Sequence, residues 1–365
     1  MLPVTKPQIS WLSRPPQSRH RLVVWGMLAL ATTLAITACT EAPVTATPTP
    51  STSSTPLPPP PETPVPTAVT PLRGTTINVG AKNNPSIAAK IDNHVAARPQ
   101  VGLESTDIVF EELVEGGLTR YLAVWQSTIP EELGPVRSIR PMDPDIISPF
   151  GGIIAYSGGQ ERFVALMQDA PVYNAIHGQP DTEDTFFRTP TKASPHNVIV
   201  KAQEVVAQHG ELAPPAQQFD YGNYVTPSTA ERAGTPLGSL ALRFSAESSR
   251  TWTWDAPANA WLRSQDGAAD LDSNGAQLSA TNLVVLRVEV SERLGLPKTE
   301  LIGTGEAWVA TGGASIHATW TKLSATERIL LVDDAGQPVL LAPGNTWVEL
   351  VPTAGSVDLV APVAP

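Results

Sequence analysis

Between Thr40 and Pro71 the chain is almost entirely Pro, Thr, Ser, Ala and Val, with Pro58-Pro59-Pro60-Pro61 inside it. Such a stretch has no apolar periodicity and nothing from which to build a core. It therefore confines folding to the residues from about Leu72 onward, a length sufficient for one large domain or two small ones. Its prolines hold the backbone near polyproline II, at about 3.1 Å per residue, so the stretch can act as a semi-rigid spacer of up to ~100 Å.

Ahead of this stalk, Arg14, Arg19, His20 and Arg21 precede the apolar run Leu22 to Thr37, and the segment closes on Ile36-Thr37-Ala38-Cys39. A basic start, a short apolar run and small residues make an export signal. The run falls short of the ~20 apolar residues that a spanning helix needs. Small residues before a lone cysteine resemble a bacterial lipobox, which implies that Cys39 is joined to lipid and becomes the mature N-terminus. Residues 1–39 are thus a lipoprotein signal peptide and 40–71 a disordered stalk. Cys39 is the only cysteine, which denies the folded part any disulfide, thiolate nucleophile or cysteine-based metal site.

Removal of the signal takes away Lys6, Arg14, Arg19 and Arg21 and no acid, leaving 20 Lys and Arg against 35 Asp and Glu, a formal charge of −15 where the whole chain carries −11. A surface this acidic repels nucleic acid and anionic lipid, so no nucleic-acid partner is expected.

The residues from 72 to 213 alternate strand and helix signals. Ile87 to Asp92 predicts a strand ending in the turn Asp92-Asn93-His94, and the runs on either side of Gly116-Gly117 predict a hairpin. Ile153 to Ser157 predicts a buried strand, Glu161 to Asp169 a helix, and Val198 to Val200 a strand followed by a helix over Ala202 to Gln208. From 214 to 365 the texture is short β-rich runs separated by turns such as Asp266-Gly267 and Gly312-Gly313. The fold class predicted is α+β, with a mixed α/β N-terminal domain (72–213) followed by a mostly antiparallel β C-terminal domain (214–365). Trp252, Trp254, Trp261, Trp308, Trp320 and Trp347 concentrate in the second; alternation places Trp252 and Trp254 on one strand face, where core is the expectation and a sugar platform the alternative.

Polar density is concentrated in the first part. Glu111, Glu112 and Glu115 end one hairpin strand and Thr119 and Arg120 begin the other, so with a tight turn Glu111 and Glu115 share one face and Glu112 the opposite one. The pattern fits a hairpin salt bridge or a general acid-base pair. In LGPVRSIRP, Arg137 and Arg140 are braced by Gly134, Pro135 and Pro141, and guanidinium forks match carboxylate or phosphate; they either clamp an anion or tie the hairpin carboxylates. Arg188, His196 and Asn197 lie on proline-stiffened segments nearby. His94, His177 and His196 have no ligand spacing, so no metal and no cofactor are expected.

Several ordered blocks, KIDNHVAARPQVGLESTDIVFEELVEGGLTRYLAVWQS, GPVRSIRP, FRTP and SPHNVIV, with a late WTW, NLVVL, GTGEAWV and GNTWVEL, resemble the YerB-like family of bacterial lipoproteins across Ile87 to Val351. The resemblance implies an envelope location and two domains of unknown function, and it supplies no reaction. Its polar blocks fall on Asp92, Asn93, Arg98, Glu112, Glu115, Arg120, Arg137, Arg140, Arg188, His196 and Asn197. The expectation is a protein held to the cell membrane by lipid on Cys39, binding an anionic envelope ligand (a glycan or phosphate-containing polymer) in an arginine and carboxylate-lined cleft. The alternatives are a wall-glycan hydrolase or transferase using Glu112 or Glu115 as acid-base, and a non-catalytic interaction scaffold.

Overall fold

The computed structural model describes residues 67–81 and 83–363, so the export segment, Cys39 and most of the expected stalk lie outside the described residues. Within the segment expected to be stalk, Thr67–Val69 pairs with Thr76–Asn78, and the Thr70 backbone and hydroxyl bond to Thr75.

Strand β1 (Ile87–Asp92) is buried at every residue, as a central strand covered on both faces must be. The hairpin of β2 (Ile108–Leu113) and β3 (Thr119–Trp125) forms as expected, with β3 antiparallel to β1. On the other side of β1 lie β4 (Ile153–Tyr156) and then β5 (Tyr173–Ile176), both parallel. After α1 (Asp143–Ile147), α2 (Glu161–Gln168) makes the crossover between β4 and β5. Leu133 and its neighbour Glu132 pair with β7 (Val198–Lys201), which pairs with β6 (Phe186–Arg188); α3 (Ala202–Gln208) follows β7 directly.

The later strands build two sheets. β8 (Ser239–Arg243), β9 (Ser249–Asp255) and β10 (Ala260–Gln265) belong to a six-stranded antiparallel sheet completed at one edge by the last strand. β11 (Asn282–Arg293), β12 (Gly303–Thr311) and β13 (Ala314–Lys322) run antiparallel, and β14 (Thr346–Pro352) lies parallel to both β11 and β2. Pairing through β14 makes one 12-stranded sheet with the central order β13-β12-β11-β14-β2-β3-β1-β4-β5. β15 (Ser356–Val360) returns to pair with β8. The described chain is therefore mostly β with few, short helices. The α/β character expected of the first half comes down to one β4-α2-β5 crossover, because much of its length is hairpin and strap.

Alternation along β1, β2 and β3 sorts the interior into two cores. Ile87, Ala89, Ile91, Val109, Tyr121, Ala123 and Trp125 pack with Leu240, Leu242, Trp252 and Trp261 of the six-stranded sheet. Ala88, Ile108, Phe110, Leu122 and Val124 pack on the opposite face with Met142, Ile146, Phe163 and Met167 around α1 and α2. Trp125, Trp252, Trp261 and Trp347 are fully buried, so these indoles are core and not a sugar platform. The same alternation sends Glu111 to the first face and Lys90, Asp92, Glu112 and Arg120 to the second.

Candidate functional site

The arginine segment is a strap wedged between two strand ends. β1 and β4 pair only over Ile87–Ala89 and Ile153–Ala155. Beyond that they part, and Val136 bridges to Ile91, the Arg137 N–H donates to the Lys90 carbonyl, and the Ser157 N–H donates to the Arg137 carbonyl. Gly134 is required at its entrance, since a Cβ there would lie 2.7 Å from Ile199 Cδ1 and 2.9 Å from the Val198 carbonyl. The strap thus brings Arg137 and Arg140 to the carboxyl ends of the parallel strands β1 and β4, the edge at which open parallel sheets hold ligands.

Three guanidiniums gather there, and they are held differently. Arg140 is buried and bidentate on Glu115, with Nε 2.7 Å from Oε2 and Nη2 on Oε1, while its Nη1 donates to the carbonyls of Ser138 and Ile139. Arg120 donates from Nη1 to the Ser138 carbonyl at 2.8 Å and stands 3.7 Å from Glu115. Arg137 is the loosest: Nη1 reaches the Pro195 carbonyl at 3.2 Å, and Nε lies 3.3 Å from Asp92 Oδ2 without a hydrogen-bond partner. Burial, then the Arg140 guanidinium, pull Arg120 down to about 10, and Arg137 adds to this against the opposing pull of Glu115 and Asp92. Burial disfavours the charge on Glu115, but the Arg140 hydrogen bond outweighs it and holds that carboxyl at about 2. Three cations thus face two carboxylates, which leaves one positive charge in surplus.

Asp92, nearly buried, ties this cluster to the His196 loop. Its Oδ2 is 2.6 Å from His196 Nδ1, its Oδ1 accepts from the His94 N–H at 3.1 Å, and the His94 and His196 rings stack at 4.4 Å and 15°. Arg188 is exposed and donates to Asn197 Oδ1 at 2.8 Å; the same guanidinium, after burial, lowers His177. Asn93 faces away from the cluster, donating to Thr119 and Gln265 in the other core. Arg98 also departs, pairing with Asp266 at 2.7 Å.

The hairpin glutamates do not share faces as the sequence suggests. The turn is a 3-10 segment, Glu115–Gly117, with Gly116 and Gly117 both at φ 72°, so Glu115 leaves the strand alternation and reaches Arg140 and Arg120. Glu112 sits opposite Arg120 across the strands but forms no ion pair with an arginine among the described residues. It is fully buried with Lys90 and Asp143. One cation faces two carboxylates there, and burial and Asp143 push Glu112 up to about 8, so it keeps its proton. An unfolded glutamate gives up that proton above about pH 4.5, and stability should therefore fall as pH rises from there toward about 8, by up to ~1.4 kcal/mol per pH unit. Glu112→Gln imitates the protonated group, so urea unfolding of this variant should show a shallower decline over that window than wild type. A decline as steep as wild type would show that Glu112 carries no proton.

Lys90, Asp143, Arg250 and Arg263 are the polar residues that the sequence did not single out. Lys90 carried a signal, as the single charge inside the apolar run Ile-Ala-Ala-Lys-Ile. Arg250 and Arg263 carried none, because their partner Glu111 lies far away along the chain. A cleft of about 550 Å³ is lined by Val95, Arg98, Val101, Phe187, Thr189 and Lys192 among others, and Arg137, Arg140, Arg188 and His196 are not among its lining residues. His94 directly precedes the lining residue Val95, and the His196 N–H donates to the carbonyl of the lining residue Ala193. No group of three or more His, Cys, Asp or Glu suited to a metal ion occurs among the described residues.

Comparison with known proteins places this arrangement. Residues 72–214 match a family described as a protein of unknown function (DUF3048), N-terminal domain, and residues 240–348 match its C-terminal domain. YerB of Bacillus subtilis (strain 168), which carries the name of a lipoprotein, is 26% identical over 291 residues, covering 77% of this chain and 86% of YerB. The crystal structure of Bacillus subtilis YerB is similar with a TM-score of 0.69 at 23% identity, covering 80% of this chain and 99% of that one, a likeness of fold.

Proposed function

This chain belongs to the YerB-like family, whose two domains are of unknown function, and from that premise we propose that it is a lipid-anchored extracytoplasmic protein that binds an anionic envelope polymer at the Arg120–Arg137–Arg140 cluster. The anchor is supported by the Cys39 motif and by likeness to a protein named as a lipoprotein. Cys39→Ala should abolish uptake of labelled fatty acid, and unchanged labelling would remove the anchor.

The observation that carries the binding reading is the uncompensated guanidinium charge: three arginines on two carboxylates, with Arg120 pulled down by burial and by its cationic neighbours. An anion with acceptor oxygens relieves that repulsion and fills the spare donors of Arg137. Arg188 and Asn197 would extend the contact along the strap, with His196 between them and Asp92. Asn93, turned to the other core, and Arg98, paired with Asp266, lie outside this contact. In the proposed division of labour, residues 72–213 carry the site and 214–365 brace it from below. Calorimetric titration with a soluble phosphodiester polymer tests the proposal; saturable binding that weakens with added salt is expected, and no heat would refute it.

The acid-base alternative finds no suitable carboxylate. Glu112 is sealed from any substrate, and Glu115, held at about 2 by Arg140, has no proton to give at neutral pH. Part of the scaffold alternative is retained, because the Arg140–Glu115 pair is a tie.

A further inference from the structure

The Asp92–His196 pair has a geometry that binding alone does not need. Asp92 is held in place on several sides: its N–H donates to the Pro135 carbonyl, its carbonyl accepts from Gln100 Nε2, Oδ1 accepts from the His94 N–H, and Oδ2 meets His196 Nδ1 at 2.6 Å and lies 3.3 Å from Arg137 Nε. A carboxylate on Nδ1 sets the imidazole tautomer, leaving Nε2 as the basic atom. No protein group bonds to that Nε2 among the described residues, and the side chain is 16% exposed. His94 stacks on the ring and fixes its plane; its own Nδ1 accepts from the Ala96 N–H, so its proton sits on Nε2. The imidazole is thus oriented, open at one nitrogen, and beside a cation cluster with one charge to spare.

We propose that Asp92 and His196 form a proton-accepting pair that acts on a phosphodiester held by Arg120, Arg137 and Arg140, so that the site cleaves the ester it binds. This rests on the anion reading of the same cluster. A phosphodiester carries one negative charge, matching the surplus of one, and its two free oxygens suit guanidinium forks. His196 Nε2 takes a proton from water as the water oxygen bonds to phosphorus. The bond from phosphorus to the departing oxygen breaks, its electron pair leaves on that oxygen, and solvent supplies the proton to the departing group while His196 returns its own to solvent. The products are a monoester and an alcohol, with no change of oxidation state. Asp92 is the positioning residue, and the cleft beyond His94, with Val95, Phe187, Thr189 and Thr191 on its walls, gives room for the polymer on one side of the ester.

The probe is bis(p-nitrophenyl) phosphate with the purified full-length chain in detergent, its binding followed by calorimetry and its cleavage by p-nitrophenolate release. Wild type should release p-nitrophenolate, and His196→Ala should lower kcat by about 10²-fold with KM within about twofold. Added imidazole should restore part of the lost rate, an effect that a merely structural histidine would not show. Asp92→Asn should lower kcat without raising KM. If His196→Ala melts early, His196→Gln, which keeps a donor for Asp92, takes its place with the same expected loss. Turnover in the His196 variant equal to wild type overturns the proposal. Binding without any turnover in wild type also overturns it and leaves the anion reading standing, whereas absence of both binding and turnover removes the two together.

Discussion

Glu111→Ala is expected to cost about 3 to 5 kcal/mol of unfolding free energy, because it removes one partner from a buried charge network and leaves the others uncompensated. Glu111 Oε1 is 2.7 Å from Arg250 Nε and 2.6 Å from the Thr119 hydroxyl, and Oε2 is 2.6 Å from Arg263 Nη2. Burial opposes its charge, and the guanidiniums of Arg250 and Arg263 overcome this to hold it at about 2. In the variant, Arg263 retains Asp270 while Arg250 loses its ion pair. Both arginines belong to the six-stranded sheet and Glu111 to the 12-stranded one, so the network joins the two layers through their shared core. Urea unfolding measures the loss. A cost below about 1 kcal/mol would show that apolar packing around Trp252 and Trp347 holds the layers together without it.

The two halves of this architecture were unequally legible. β1, the β2–β3 hairpin and α3 lay close to their expected bounds because each is a local pattern: an apolar run, a Gly-Gly turn, a helix stopped before Gly210. The joining of both halves into one sheet was not legible, since it depends on β14 pairing in parallel with β2, a contact between residues more than two hundred positions apart. At the site, the sequence identified Arg137, Arg140 and His196 but could not decide between clamp and tie. In the structure Arg140 is bidentate on Glu115, whereas Arg137 Nε has no hydrogen-bond partner. The face given to Glu115 was wrong because two glycines at positive φ open the turn and end the strand alternation before it.

That difference between the arginines gives the second large effect. Arg137→Ala removes a guanidinium whose protein contacts are one carbonyl at 3.2 Å and one carboxylate at 3.3 Å, so folding should stay near wild type. A hydrogen bond to a charged group is worth roughly 1.5 to 3 kcal/mol, so affinity for a phosphodiester polymer should fall by about one to two decades. Arg137→Lys keeps the charge but not the fork and should fall between the two. Arg140→Ala frees Glu115 and unpairs the Ile139 carbonyl, so it should lower stability by about 1 to 3 kcal/mol, moderated by the solvent around Glu115. Calorimetric titration of one soluble phosphodiester polymer into wild type and Arg137→Ala, with a melt of each, decides whether this guanidinium holds an anion. Wild type should bind, the variant should bind at least tenfold more weakly, and the melting temperatures should match. Equal affinity in the two proteins, with both folded, would contradict that role.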